Sequence, residues 1–352
     1  RGGPAASVAG RRCRRSAFSC AWMGSLAMSD PDLVSGHGGR IDAMARAFPD
    51  APLPWIDLST GINPAAYPLP QMPTDAWTRL PGEIARASCE SAMAGAFGCD
   101  PAYCRAVAGT EVAIRQMPSI LRAKTVAVRA PSYADHAQSW RSDGASVVKR
   151  LDPLELVEKA DVVVLVNPNN PDGHCWPVER IEHARARLAK RGGWLIVDEA
   201  YADLDPSKSV APFAGRRALM VLRSFGKFYG LAGLRLGAVL APPDVLREIG
   251  ERLGGWDVSG PALAIGKSAY ANVEWQAATR KHLALRMHEL RTLIASAGLN
   301  DRGGTDLFRF VQASDAPALW RKLARHGIAV RRFAGDDHHL RIGLPADTAQ
   351  FD

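Results

Sequence analysis

The amino-acid sequence predicts an α/β fold, with a mostly parallel sheet flanked by helices and a smaller α+β unit after it. Three observations carry this expectation. Short β-branched runs recur through the middle of the chain, separated by stretches of helical periodicity. These runs are apolar at nearly every position, as strands covered on both faces are. After Pro242 the rhythm changes to longer helical segments with a few late strands, the texture of an α+β unit.

Residues 1–28 are rich in Arg, Ala, Ser and Gly, lack apolar periodicity and begin with Arg1. The apolar stretch from Ala17 to Ala27 is broken by Ser19, Gly24 and Ser25, which makes it a poor targeting core. A non-native or disordered extension is expected here, with the start at Met28 or Met23. Residues 29–70 are expected to join the smaller domain and link it to the large one. Within this region Pro49–Pro73 holds seven prolines (Pro49, Pro52, Pro54, Pro64, Pro68, Pro70, Pro73) and cannot be one regular element.

Residues 71–241 are expected to form the large domain. Its strands are predicted at Tyr103–Val107, Thr125–Val128, Val162–Val166, Trp194–Val197, Ala218–Leu222 and Leu236–Leu240, with helices such as Val112–Leu121 and Val178–Ala189 between them. Residues 242–352 are expected to form the small domain. It carries a helix over Val273–Ala297, a strand at Leu307–Val311, a helix near Ala316–His326 and two strands, the last at His339–Leu344. The chain is expected to lack a final helix after Asp352.

Composition excludes several classes. The 47% hydrophobic share rules out wholesale disorder. Net charge is +8, but residues 1–30 carry half of it, through five arginines against Asp30. A basic tail on a near-neutral body is no nucleic-acid footprint. No apolar run approaches membrane-spanning length. The six cysteines, at 13, 20, 89, 99, 104 and 175, show no CxxC spacing, so no metal site is expected. A chain of this size needs no disulfide staples, and reduced thiols in a cytoplasmic protein are expected.

In an open α/β sheet the ligand sits beyond the carboxyl ends of the strands. The residues just past each predicted strand are therefore informative. After Val107 stands Ala108-Gly109-Thr110-Glu111, a turn opening a helix, with backbone N–H groups for a phosphate. After Val128 comes Pro131-Ser132-Tyr133. After Val166 comes Asn167-Pro168-Asn169-Asn170-Pro171-Asp172-Gly173, a rigid turn bearing amides. After Val197 comes Asp198-Glu199-Ala200-Tyr201, and after Leu222 comes Arg223-Ser224-Phe225-Gly226-Lys227, with Arg235 beyond. Each alone also suits an ordinary cap, turn or core position. Together they suit pyridoxal 5'-phosphate: an amine for its carbonyl, an acid for its ring nitrogen and a phosphate cradle.

On these residues the sequence resembles the fold-type-I pyridoxal-phosphate enzymes of the aspartate aminotransferase superfamily, over roughly Asp30 to Pro345. The resemblance implies that Lys227 links to the cofactor, that Asp198 pairs with its ring nitrogen and that Tyr201 and Asn170 bond its O3′. It further implies that Tyr133 stacks on the ring and that Gly109, Thr110, Glu111, Ser224 and Arg235 hold its phosphate. Arg341, in His339-Leu340-Arg341-Ile342-Gly343, matches the arginine for a substrate carboxylate. A homodimer is implied, with Tyr67 a candidate to reach the neighbouring site.

Within the superfamily, the chain is most similar to the histidinol-phosphate aminotransferases and to the threonine-phosphate decarboxylases, which serve cobalamin synthesis. Gly36-His37-Gly38-Gly39-Arg40 and Ile56-Asp57-Leu58-Ser59-Thr60-Gly61-Ile62-Asn63-Pro64 resemble segments of the decarboxylases. The implied substrate is a small phosphorylated amino acid, contacted by His37, Gly38, Asn63, Asn170, Arg331 and Arg341. Arg331 would take the phosphate and Arg341 the carboxylate. On the sequence alone, a transaminase of the histidinol-phosphate type and a non-catalytic cofactor-binding homologue remain alternatives.

Overall fold

A computed structural model describes Gly2, Gly3 and residues 37–346. The expectations for the N-terminal extension, its start and the end of the chain lie outside these residues. Among the described residues no helix is long and apolar enough to cross a membrane.

The strands, in chain order, are β1 (Ile56–Leu58), β2 (Cys104–Val107), β3 (Thr125–Arg129), β4 (Ser146–Arg150), β5 (Val162–Val166), β6 (Trp194–Asp198), β7 (Leu219–Ser224), β8 (Gly237–Leu240), β9 (Asn300–Thr305), β10 (Phe308–Gln312), β11 (Ile328–Arg332) and β12 (His339–Gly343). Seven of them form one sheet in the order β2-β8-β7-β6-β5-β3-β4. Neighbours from β7 through β4 pair in parallel, whereas β8 runs antiparallel to both β7 and β2.

An interior strand, β5, shows why the sheet is buried twice. All five residues of β5, Val-Val-Val-Leu-Val, are buried. Successive side chains point to opposite faces. Val163 and Leu165 join Leu195, Val197 and Val221 in one core, which the helices Glu83–Phe97, Val178–Lys190 and Gly260–Ala271 cover. Val162 and Val164 join Ile196, Met220 and Leu222 in the other, under the helices Thr110–Leu121, Ala134–Ser142 and Pro243–Leu253.

The second sheet has the order β1-β11-β12-β10-β9, antiparallel except where β1 lies parallel to β11. The helices Val273–Ser296 and Ala316–Arg325 contribute Leu283, Met287, Leu290, Trp320 and Ala324 to its core. Its outer strand touches the large sheet's carboxyl edge. A side chain at Gly173 would sit 1.9 Å from the Gly304 carbonyl oxygen, so the turn after β5 and the backbone of β9 need a residue with no Cβ here.

The predicted strands recur with small shifts. Ala218 adopts a left-handed φ of 69°, so β7 starts at Leu219 rather than at Ala218. Three strands were not expected. β1 is three residues inside the proline-rich segment and exists through pairing with β11. β4 lies at the sheet edge with three of its five residues exposed. β9, Asn-Asp-Arg-Gly-Gly-Thr, has no strand propensity and is held by its register with β10.

A charged network lies inside the large sheet's core. Glu199, with 0% exposure, accepts from Ser209 Oγ at 2.5 Å, Val210 N–H at 2.6 Å and Arg223 Nη1 at 2.9 Å. Arg223 also pairs with Asp203 through Nη2 and lies over the Phe97 ring. Burial pushes the Glu199 carboxyl up, against the pull of Arg223 and Ser209. Removing one partner of a buried pair strands the other. Glu199→Ala should therefore cost about 3–5 kcal/mol of unfolding free energy in denaturant titration. A loss below about 1 kcal/mol, the scale of a surface ion pair, would contradict this role.

Candidate active site

The ligand edge follows from strand direction. β3, β5, β6 and β7 end there, and β2 runs with them because it is antiparallel to β8. The reversed β8 begins at that edge, which brings Arg235 beside the turn after β2. Gly109, at φ 86°, caps the helix Thr110–Leu121, and a Cβ on it would sit 2.8 Å from Arg235 Nη2. A guanidinium packed on the amino end of a helix is an anion cradle. Arg235 is exposed and gives only Nη1 to a protein acceptor, the Ala232 carbonyl, at 3.1 Å. Glu111 spends its carboxylate on Arg115 at 2.8 Å, so its contribution to an anion is its main-chain N–H. Ser224 ends β7, half-buried, and precedes the short helix Phe225–Phe228 that holds Lys227, also half-buried.

Asp198 ends β6 and is buried. Its Oδ1 accepts the Ala200 N–H at 3.1 Å, and its Oδ2 lies 2.9 Å from His136 Nε2. A carboxylate only accepts, so His136 donates from Nε2. His136 Nδ1 is buried with no partner among the described residues. Sequence reasoning missed His136. The available signal was a histidine in the first turn of the helix after β3, at the ligand edge. Tyr201 is buried beside Phe308, with ring centroids 5.0 Å apart. The half-buried Tyr133 gives its hydroxyl to Asp135 at 2.6 Å.

The second sheet brings two guanidiniums to the same place. Arg331 on β11 and Arg341 on β12 are direct cross-strand partners. Arg341 is buried, donates from Nη1 to Asn170 Oδ1 and from Nη2 to the Ser59 carbonyl, each at 2.6 Å, and stands over Phe308. Its Nε has no partner among the described residues. Burial pushes Arg341 down from its usual value. Burial, with the Arg341 charge added, pushes Arg331 down to about 10. Like charges directly opposite on paired strands repel. Arg331 lines a pocket with His37, Gly38 and Ser59.

Ser59 joins the two N-terminal segments. Its Oγ accepts the Gly39 N–H at 2.7 Å and donates to Asp57 Oδ1 at 2.6 Å. Neither Ser59 nor Asp57 was expected to hold the site together. Asn63, expected among the substrate contacts, uses its side chain on backbone. Its Nδ2 donates to the Phe228 carbonyl and its Oδ1 accepts the Ala65 N–H, both at 2.9 Å, while its own N–H bonds the Lys227 carbonyl. It latches the lysine turn. Tyr67 is buried in its own chain, its hydroxyl 3.1 Å from Ser268 Oγ, rather than reaching outward.

Residues 101–350 match the model of a protein family described as aminotransferase class I and II. The chain belongs to this family. It is 40% identical over 317 residues to a threonine-phosphate decarboxylase of Pseudomonas aeruginosa, covering 89% of this chain and 94% of that protein. It is 39% identical over 315 residues to one from a Sinorhizobium species, covering 89% and 94%. Its fold matches histidinol-phosphate aminotransferase from Sinorhizobium meliloti in complex with pyridoxal 5'-phosphate, with a TM-score of 0.77 at 21% identity, over 94% of this chain and 96% of that one.

The family implies dependence on pyridoxal phosphate. The residues present fit it. The Gly109–Arg235 cradle suits a phosphate, and the Asp198 carboxylate keeps lone pairs for a protonated ring nitrogen. Lys227 supplies the only side-chain amine in the segments that end these strands.

Lys227→Ala should leave no borohydride-reducible cofactor on the protein, and mass spectrometry checks this. A cofactor adduct persisting on the variant would place the linkage elsewhere. Asp198→Asn should retain cofactor and lose several powers of ten in rate, each about 1.4 kcal/mol of barrier. Near-native steady-state turnover would rule out a role at the ring nitrogen.

Proposed function

We propose that this chain is a threonine-phosphate decarboxylase: with pyridoxal phosphate bound, it converts L-threonine O-3-phosphate to (R)-1-aminopropan-2-yl phosphate and CO2, for cobalamin synthesis. The carrying observation is the facing pair Arg331 and Arg341. Among the described residues no carboxylate pairs with either, and burial lowers both from their usual value while leaving them cationic. A substrate with a phosphate at one end and a carboxylate at the other answers both charges. The decarboxylase relatives, matched over nearly their whole length, support the reading.

The chain's own residues divide the work. Arg341, its plane set by Asn170 and Ser59, has N–H donors left for the carboxylate, and bidentate contacts fix orientation. Arg331, with His37 and Gly38, takes the phosphate. Gly109, Thr110, Glu111, Ser224 and Arg235 hold the cofactor phosphate, while Tyr133, Asn170 and Tyr201 surround the ring. When bound, the cofactor supplies an electron sink for the pair left as the bond from Cα to the carboxylate breaks. Asp198, oriented by His136, holds a proton at the ring nitrogen. Lys227 Nζ returns a proton to Cα as CO2 leaves.

The proposed assembly is a homodimer. Trp77, Leu80, Ile84 and Trp256 are each at least 66% exposed, an apolar surface a second copy would cover.

Threonine phosphate alone should release CO2 over many turnovers with no amino-group acceptor. Arg331→Ala should raise KM for it roughly ten- to a hundred-fold, the cost of one charge-assisted contact. Absent CO2, with stoichiometric conversion of the cofactor to its amine form by histidinol phosphate, would favour the aminotransferase alternative.

A further inference from the structure

Asp135 lies in the first turn of the helix Ala134–Ser142 and is buried. A buried carboxylate is stable only with partners. Its two side-chain partners both belong to the site: Oδ2 accepts the Tyr133 hydroxyl at 2.6 Å, and Oδ1 lies 3.4 Å from His37 Nε2. The His37 and Tyr133 rings are 5.9 Å apart at a tilt of 52°. Other charges near this group are Arg115 and Glu111, on the helix Thr110–Leu121, with Asp198 and Arg331. Arg115 is exposed and paired with Glu111. His37 is thus the one basic side chain within ion-pair distance of Asp135 among the described residues.

A first-turn carboxylate gains from the helix dipole wherever it points. Asp135 instead turns both oxygens toward the N-terminal segment and the Tyr133 hydroxyl. Beyond this contact, the segment is pinned by the Gly39 N–H on Ser59 Oγ. With His37 Nε2 turned to Asp135, Nδ1 is the ring nitrogen left for an anion in the pocket shared with Gly38 and Arg331, and it donates to that anion in the imidazolium form.

Resting on the proposed function, we infer that Asp135 is a positioning residue: it clasps the His37 segment to Tyr133 and so sets the affinity of the site for the phosphate end of the substrate. Asp135 touches neither substrate nor cofactor in this role. It orients His37 and ties Tyr133 in the same gesture, coupling closure of the phosphate pocket to the wall of the cofactor site.

The test uses the holoenzyme and three variants, Asp135→Asn, His37→Ala and the two together. Two quantities are read: the KM and kcat for threonine phosphate, and the Kd for inorganic phosphate by isothermal titration. Each single variant should raise KM and the phosphate Kd about ten-fold, as loss of one charge-assisted contact does, with a much smaller fall in kcat. The double variant should be no worse than either single one, because the two residues act as one unit. Losses that multiply in the double variant overturn the clasp. So does an Asp135→Asn protein of lowered melting temperature but native phosphate affinity, which would mark a helix-end role alone. His37 is exposed, so His37→Ala keeps the test decisive even if Asp135→Asn does not fold; a native phosphate Kd in it overturns the inference. Failure of the native enzyme to release CO2 refutes the decarboxylase reading separately, since the phosphate Kd still decides the clasp.

Discussion

The carboxylate of Asp198 ends an apolar strand in the middle of a sheet buried on both faces, and much of the site answers to that placement. Such a group is tolerated only when its charge is met. His136 Nε2 and the Ala200 N–H meet part of it, and the remaining lone pairs suit a cationic ring nitrogen. One residue on, Glu199 faces the same problem and is closed completely by Ser209, Val210 and Arg223. The two neighbouring acids differ in how much hydrogen-bonding capacity the protein leaves them. The first keeps capacity for a ligand, while the second has spent its own inside the protein.

The same contrast separates the arginines. Arg223 sits between Glu199 and Asp203 and is held above its usual value, the two carboxylates outweighing burial. Arg331 and Arg341 are desolvated without such partners and lie opposite each other on β11 and β12. That arrangement is unfavourable in the protein by itself and favourable around an anion. Paired strands hold the buried Arg341 opposite the half-buried Arg331, while the large sheet's edge supplies the rest of the site. Asn170 spans the two units, since it belongs to the turn after β5 and accepts from Arg341.

Much of this was legible in the residues. The all-apolar runs at Val162–Val166 and Trp194–Val197 marked the buried strands, and the residues after each run gather at one edge of the sheet. Elements without their own signal were not legible. β1 and β9 exist because β11 and β10 offer open hydrogen-bonding edges, which no local propensity records. His136 was hidden because its partner, Asp198, is 62 residues away. Asn63 and Tyr67 were read as facing a ligand or a neighbour, but their polar groups are satisfied by backbone and by Ser268 inside the chain.

The sequence by itself determined the chemistry available: an amine, an acid, a phenol and a glycine turn after apolar strands, and two arginines near the end of the chain. Strand order and direction decided how these meet. The reversal of β8 laid Arg235 against Gly109, and the pairing of β11 with β12 set Arg331 across from Arg341. Residue type and spacing set what a side chain can donate or accept. Which donor meets which acceptor depends on pairings between distant segments, and those are settled only when the two sheets bury their apolar faces.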